Sequence, residues 1–343
     1  MPSSRWPGVA LLLSVAVGAG VGGSAAADPP ARVDLAALPS PVLFRGDATR
    51  AYRDPAALYQ DGWFRLFFTL VEVEPDGRPF SYLAWSKSRD LRTWTAPVKL
   101  TPRDRSLNYG SPGNVVRDGD RWVLCLQTYP RPRGERYGNA DSRLWTMSSR
   151  DLETWDAPEL LRLKGPDVPR ERMGRMIDPY LLRDKDDPDR WWCLFKQDGV
   201  SLSTSRDLRD WSYVGRFPGG ENACVVVDYG EYVLFHSPPN GIGVKRSADL
   251  RTWRDEGVLA FGHAGWPWAA GRLTAGFVLD LRADPAVGSA LMFFHGSDFP
   301  ETDPRGGFDS FASIGVAWSA DLKAWEWPGQ APPVGRTTRE AAR

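Results

Sequence analysis

Ser88-Arg89-Asp90-Leu91-Arg92-Thr93-Trp94, SRDLRTW, is the first of five related segments in the chain. SRDLETW follows at 149–155, SRDLRDW at 205–211, SADLRTW at 247–253 and SADLKAW at 319–325, so the shared frame is Ser-x-Asp-Leu-x-x-Trp. Self-similarity at a spacing of tens of residues marks a repeat architecture. The Asp residues of successive copies lie 61, 56, 42 and 72 residues apart. A helical solenoid keeps a nearly constant period, whereas a propeller absorbs insertions of variable length in its loops. Five copies predict five blades.

In each copy an apolar strand runs into the motif, where the Asp or Ser side chain can cap a tight turn. The Leu and Trp are then expected to face inward between neighbouring blades, each Trp burying on the order of 200 Å². Asp90, Asp151, Asp207, Asp249 and Asp321 accordingly belong to the scaffold rather than to chemistry. Upstream of each copy, two apolar runs flank a polar turn. They are 56–70 about Asp61-Gly62, 113–129 about Asp118-Gly119, 180–197 about an acidic turn with Pro188, 223–237 near Gly230, and 275–297 with a longer turn. These are hairpin signals. A third strand leads into the motif, and a short run after the Trp, such as 96–100 or 157–161, supplies a fourth. The expected fold is all-β, a five-bladed propeller of four-stranded antiparallel blades over residues 42–327.

The 343 residues carry 43 basic and 43 acidic side chains. That balance argues against nucleic acid or an anionic membrane as the partner, since both select a basic surface. The 16 Trp residues suit aromatic packing between sheets and also a sugar-binding cleft. Residues 1–27 read as a signal peptide, with Arg5 before an apolar run from Val9 to Val21 and Ala25-Ala26-Ala27 as the cleavage site. The expected product is secreted or periplasmic and monomeric, with an uncleaved anchor as the alternative. Residues 28–41 form an arm, and 328–343 a loosely held tail. Cys125, Cys193 and Cys224 fit neither a disulfide framework nor a zinc pattern, although a Cys193–Cys224 bridge stays open.

The first strand of a propeller blade lines the central channel, so residues at its start converge at one mouth. Blade by blade, that position reads Tyr52-Arg53-Asp54-Pro55, Ser111-Pro112-Gly113-Asn114, Met176-Ile177-Asp178-Pro179, Gly220-Glu221-Asn222-Ala223 and Gly271-Arg272-Leu273-Thr274. Three blades thus offer a carboxylate at the equivalent place: Asp54, Asp178 and Glu221. Acids crowded together raise at least one pKa. Glycoside hydrolysis uses such crowding, with one carboxyl group protonated and another ionised across the sugar.

With these segments, RDPAALY, IDPYLL and ENACVV, the chain resembles the five-bladed propeller glycoside hydrolases of families 43, 62, 32, 68 and 117, family 43 most of all. The resemblance implies that Asp54 is a general base, that Asp178 tunes and orients, and that Glu221 is a general acid, with inversion at the anomeric carbon. Families 32 and 68 would instead make the reaction retaining; a phosphorylase or a non-catalytic carbohydrate-binding propeller is a further alternative. The fifth blade lacks the Gly-His-Asn segment by which many arabinanases place a central His near a metal. His263 is the substitute, with a structural role as its alternative. No cofactor is required and no metal ligand is assigned; calcium in the channel is left open. Arg53, Arg175 and Arg272 are expected at the same mouth, either pairing with the acids or holding substrate. Trp266 and Trp268, in a Gly- and Pro-rich loop, are candidates to stack on a sugar. Tyr109, Asn114 and Asn222 are candidate hydroxyl contacts.

Overall fold

A computed structural model of the chain describes residues 32–299 and 308–330. The leader expected at 1–27 and positions 331–343 of the expected tail lie outside the described residues.

The described chain is a five-bladed β-propeller. The first blade consists of Arg50–Gln60, Trp63–Val73, Pro79–Ser88 and Val98–Lys99. In the second, the innermost strand is split into Tyr109–Gly110 and Val115–Asp118, followed by Arg121–Thr128, Leu144–Ser149 and Glu159–Leu160. The third runs through Ile177–Arg183, Trp191–Lys196, Val200–Ser205 and Trp211–Phe217. The fourth runs through Glu221–Asp228, Glu231–Ser237, Gly243–Ser247 and Arg254–Val258.

The fifth blade departs from expectation. Its inner three strands are Arg272–Leu281, Ser289–Ser297 and Ser313–Ser319, but the outermost is Val42–Phe44, pairing antiparallel with Ser313–Ser319. After Trp325 the chain contributes only a bridge between Trp318 and Glu326. Closing a ring with a strand from the other end covers a sheet edge that would otherwise stay open to pairing. The arm just before it is also anchored. Val33 N–H donates to Ala286 O at 2.8 Å, and Leu35 and Leu38 are buried.

The repeated motif builds one turn five times. In the first copy the N–H groups of Arg92 and Thr93 donate to Asp90 Oδ1 at 2.9 and 2.8 Å, and Leu91 N–H donates to Ser88 Oγ at 2.9 Å. The same backbone amides, of Thr154 and then Glu153, draw the Asp151 carboxyl down to about 2. Each motif Leu is left-handed, with φ of 62°, 64°, 61°, 63° and 63° in chain order. That conformation costs a non-glycine residue on the order of 1–2 kcal/mol. Each of these leucines is buried, and full burial of a Leu contributes about 1.5–3 kcal/mol. The motif Trp reaches the preceding blade. Trp155 meets Phe67 edge-on at 5.7 Å, Trp253 stacks on Phe217 at 4.8 Å, and Trp325 meets Phe235 at 6.1 Å. Trp94 meets Phe44 of the closing strand at 5.3 Å. All three cysteines are free and buried, so no Cys193–Cys224 bridge forms.

Candidate active site

Every blade carries one left-handed residue in its innermost strand: Asp54 (φ 48°), Ser111 (42°), Asp178 (52°), Asn222 (50°) and Ala275 (56°). Pairing with the second strand slips at this point, between Arg53 and Ala56, Ile177 and Tyr180, Glu221 and Cys224, and Thr274 and Phe277. In the second blade the same irregularity splits the strand. Such bulges re-aim side chains beside functional sites. They also correct the expected frame. Asp54 and Asp178 are equivalent, but Glu221 stands one residue earlier, level with Arg53 and Ile177, and Asn222 takes the bulge position. In the second and fifth blades the true equivalents are Ser111 and Ala275.

The bulges are tied together around the ring. Facing the residue before each bulge, the second strands present Thr69, Gln127, Lys196, Ser237 and His295. Four of these five hold the bulge amide of the following blade. Ser111 N–H donates to Thr69 Oγ1 at 2.6 Å and Asp178 N–H to Gln127 Oε1 at 2.6 Å. Ala275 N–H donates to Ser237 Oγ at 2.8 Å and Asp54 N–H to His295 Nδ1 at 3.0 Å. Lys196 has no acceptor to offer while charged. The amide it faces, Asn222 N–H, donates instead to Asp178 Oδ2 at 3.4 Å.

This belt brings Asp54, Asp178 and Glu221 to one cavity of about 410 Å³, shared with Arg53, Arg175 and Arg272. Asp178 is 7% exposed and accepts from Ser111 Oγ at 2.7 Å. Burial, and then the charges of Glu221 and Asp54, push its carboxyl up to about 7, against the Ser111 and Asn222 hydrogen bonds. Asp54 Oδ2 accepts from Thr69 Oγ1 at 3.0 Å, and its Oδ1 lies 3.7 Å from His295 Nδ1. His295 is buried, and burial followed by the charges of Arg53 and Arg272 drives its pKa well below the usual imidazole value. The ring is therefore neutral, and accepting at Nδ1 puts its proton on Nε2. The Glu221 carboxylate makes no hydrogen bond to the described residues.

Arg53 and Arg175 form no ion pair among the described residues. Arg53 Nη1 donates to Phe308 O at 2.8 Å, with its guanidinium 3.9 Å from the Phe308 ring centre, and Arg175 Nε reaches Gly138 O at 3.4 Å. Arg272 lines the cavity with them. One wall is aromatic: Tyr129 stacks on Phe308 at 5.9 Å and Tyr137 meets it edge-on at 5.2 Å. Arg131 fixes that wall through a bidentate pair with Asp309, at 2.6 and 2.8 Å.

Of the other candidates, Asn222 alone lines the cavity. Tyr109 is buried against Trp145. Asn114 ties two blades by donating to Leu181 O at 2.7 Å and accepting from Leu181 N–H at 2.9 Å. Trp266 and Trp268 stack on each other at 5.5 Å and on Phe294, a packing role that follows from three flat rings sharing one apolar pocket. His263 sits in a short 3-10 turn and does not line the cavity. Asn222 lines the cavity, its Oδ1 accepting from Ser237 Oγ at 3.2 Å. Among the described residues no group of three or more His, Cys, Asp or Glu side chains is placed to hold a metal ion. Sequence reasoning passed over His295, Thr69, Gln127 and the Tyr129–Tyr137–Phe308 wall. Aligning the second strands by their pairing partners would have singled out the first three.

Neither a protein-family model nor a curated protein sequence matches the chain. Solved structures do match in fold. A family 117 glycoside hydrolase produced by the marine bacterium Zobellia galactanivorans superposes with a TM-score of 0.60 at 14% identity, over 87% of this chain and 91% of that one. An exo-1,5-α-L-arabinanase from a bovine ruminal metagenomic library gives 0.54 at 16% identity, over 79% and 94%. The catalytic domain of the Coprinopsis cinerea family 62 α-L-arabinofuranosidase gives 0.56 at 15% identity, over 81% and 97%. The chain is thus similar in fold to the propeller glycoside hydrolases.

Proposed function

We propose that the protein is a glycoside hydrolase that cleaves O-glycosidic bonds of poly- or oligosaccharides with inversion. The observation that carries this reading is the meeting of Asp54, Asp178 and Glu221 in one cavity, with the Asp178 carboxyl pushed up to about 7. Glu221, whose carboxyl group makes no hydrogen bond to the described residues, gives its proton to the glycosidic oxygen as the bond to the anomeric carbon breaks. Asp54, oriented by Thr69 and by the His295 tie, takes a proton from the water whose oxygen attacks that carbon from the other side. Asp178 lies between them in charge coupling and keeps a proton available near neutral pH. Arg53 and Arg175 supply donors to sugar hydroxyls, and the Phe308 wall a face to stack on.

Two of the similar structures are an arabinanase and an arabinofuranosidase, which makes pentose-containing glycans the first class to screen. Export through the leader at 1–27 and action as a monomer complete the reading. Assay of aryl glycosides and plant or algal polysaccharides, with the product anomer followed by NMR, tests it. Glu221→Gln is expected to lower kcat by about 10²–10⁴-fold on natural substrates with the melting temperature preserved; full activity in that variant refutes the assignment.

A further inference from the structure

Lys196 is the one exception in the belt. Thr69, Gln127, Ser237 and His295 each accept a bulge amide at 2.6–3.0 Å, while the amide facing Lys196 is left with a 3.4 Å bond to Asp178. The fold gives up a well-made hydrogen bond at this blade boundary, and the packing of the belt supplies no reason for an ammonium there. Lys196 instead lines a second cavity of about 780 Å³, bounded by the third and fourth blades and by Arg272 at the start of the fifth. Its Nζ has one long contact, to Gly219 O at 3.4 Å, and no carboxylate within ion-pair distance among the described residues.

This second cavity adjoins the first. Glu221 and Arg272 line both. Lys245 also lines it, paired with the exposed Asp255. His236 adds an imidazole whose Nδ1 accepts Gly220 N–H at 3.1 Å. Glu221 is the sole carboxylate among the described lining residues. A group that donates its proton to the glycosidic oxygen stands at the border between the sugar under attack and the portion that departs. The space on the far side of Glu221 from the acid cluster is therefore where that portion must lie.

We propose that the second cavity binds the leaving-group portion of the glycan and recognises a carboxylate or sulfate on it through Lys196. The location rests on Glu221 as proton donor; the charge preference rests on Lys196 alone. An anionic substituent gives the ammonium the partner that the fold withholds, in a charge-assisted hydrogen bond. It also accounts for a lysine where the other four blades place an acceptor.

Titration calorimetry on the full chain tests the proposal with three probes: tetragalacturonate, a 6-sulfated galactan tetrasaccharide and neutral galactotetraose. At low salt, one acidic probe is expected to bind at least tenfold tighter than the neutral one. Whichever does so distinguishes carboxylate from sulfate. Lys196→Gln should abolish that advantage and Lys196→Arg should keep it. Equal affinity for all three probes, including none, overturns the proposal, as does an advantage that survives Lys196→Gln. Its failure is separable from that of the catalytic reading. Hydrolysis of neutral glycosides without any acidic preference removes only this site. An acidic preference without hydrolysis of any glycoside removes the hydrolase and leaves an acidic-glycan site.

Discussion

His295 in the fifth blade accepts the backbone N–H of Asp54 in the first at 3.0 Å, joining the two ends of the ring at the candidate general base. Removing the acceptor leaves a part-buried left-handed amide unpaired, which costs about 1–3 kcal/mol. His295→Leu is expected to lose stability on that scale in urea unfolding, and about 10–100-fold in kcat/KM through misplacement of Asp54. His295→Gln, which restores an acceptor of the kind Gln127 provides two blades on, should recover most of both. Equal damage from the two variants would show that the hydrogen bond is not what matters.

Asp178 makes stability depend on pH with a definite sign. Its folded carboxyl titrates at about 7 against an ordinary 3.8. Between those values the unfolded chain has released a proton that the folded chain retains, so stability falls as pH rises through this window and levels off above it. Asp178→Asn lacks the titration. Its melting temperature relative to the natural protein should therefore climb from about pH 4 to about pH 7 and then stay constant. A difference independent of pH would mean that the charged form is not penalised by burial.

Trp211, almost wholly buried in the third copy of the repeat, should be a scaffold residue only. Trp211→Ala is expected to cost about 3–5 kcal/mol. The surviving folded fraction should keep kcat unchanged, because the ring lies outside the cavity. A fall in kcat at saturating substrate, measured well below the melting temperature, would contradict this.

Arg131 and Asp309 pin the aromatic wall. Arg131→Ala should cost about 2 kcal/mol, less than the 3–5 kcal/mol of a fully buried pair, because a quarter of the Asp309 side chain stays exposed. The kinetic signature should fall on KM, which rises as Phe308 loses its anchor, more than on kcat. Steady-state kinetics on the best aryl glycoside separate the two.

The scaffold was legible because Ser-x-Asp-Leu-x-x-Trp encodes its own turn: hydroxyl, carboxylate, left-handed Leu and inter-blade Trp all fall within seven residues. The three acids were legible as types in a repeated frame. Their register was not. The bulge is a backbone feature occupied by Asp, Ser, Asp, Asn and Ala, not by one residue type, so aligning carboxylates placed Glu221 one residue out of step. His295 lay hidden within the apolar strand Ser289–Ser297, since its partner Asp54 is 241 residues away in sequence. The strand Val42–Phe44 is three residues long and gives no periodicity to read.

That short strand has a bearing on how the molecule is made. The ribosome produces Val42–Phe44 before every other strand of the ring, and its partner Ser313–Ser319 after every other one. The sheet uniting them cannot be completed until Ser313–Ser319 has been made, so the nascent chain carries an unmated β-edge up to that point, a standing invitation to intermolecular association until both halves exist.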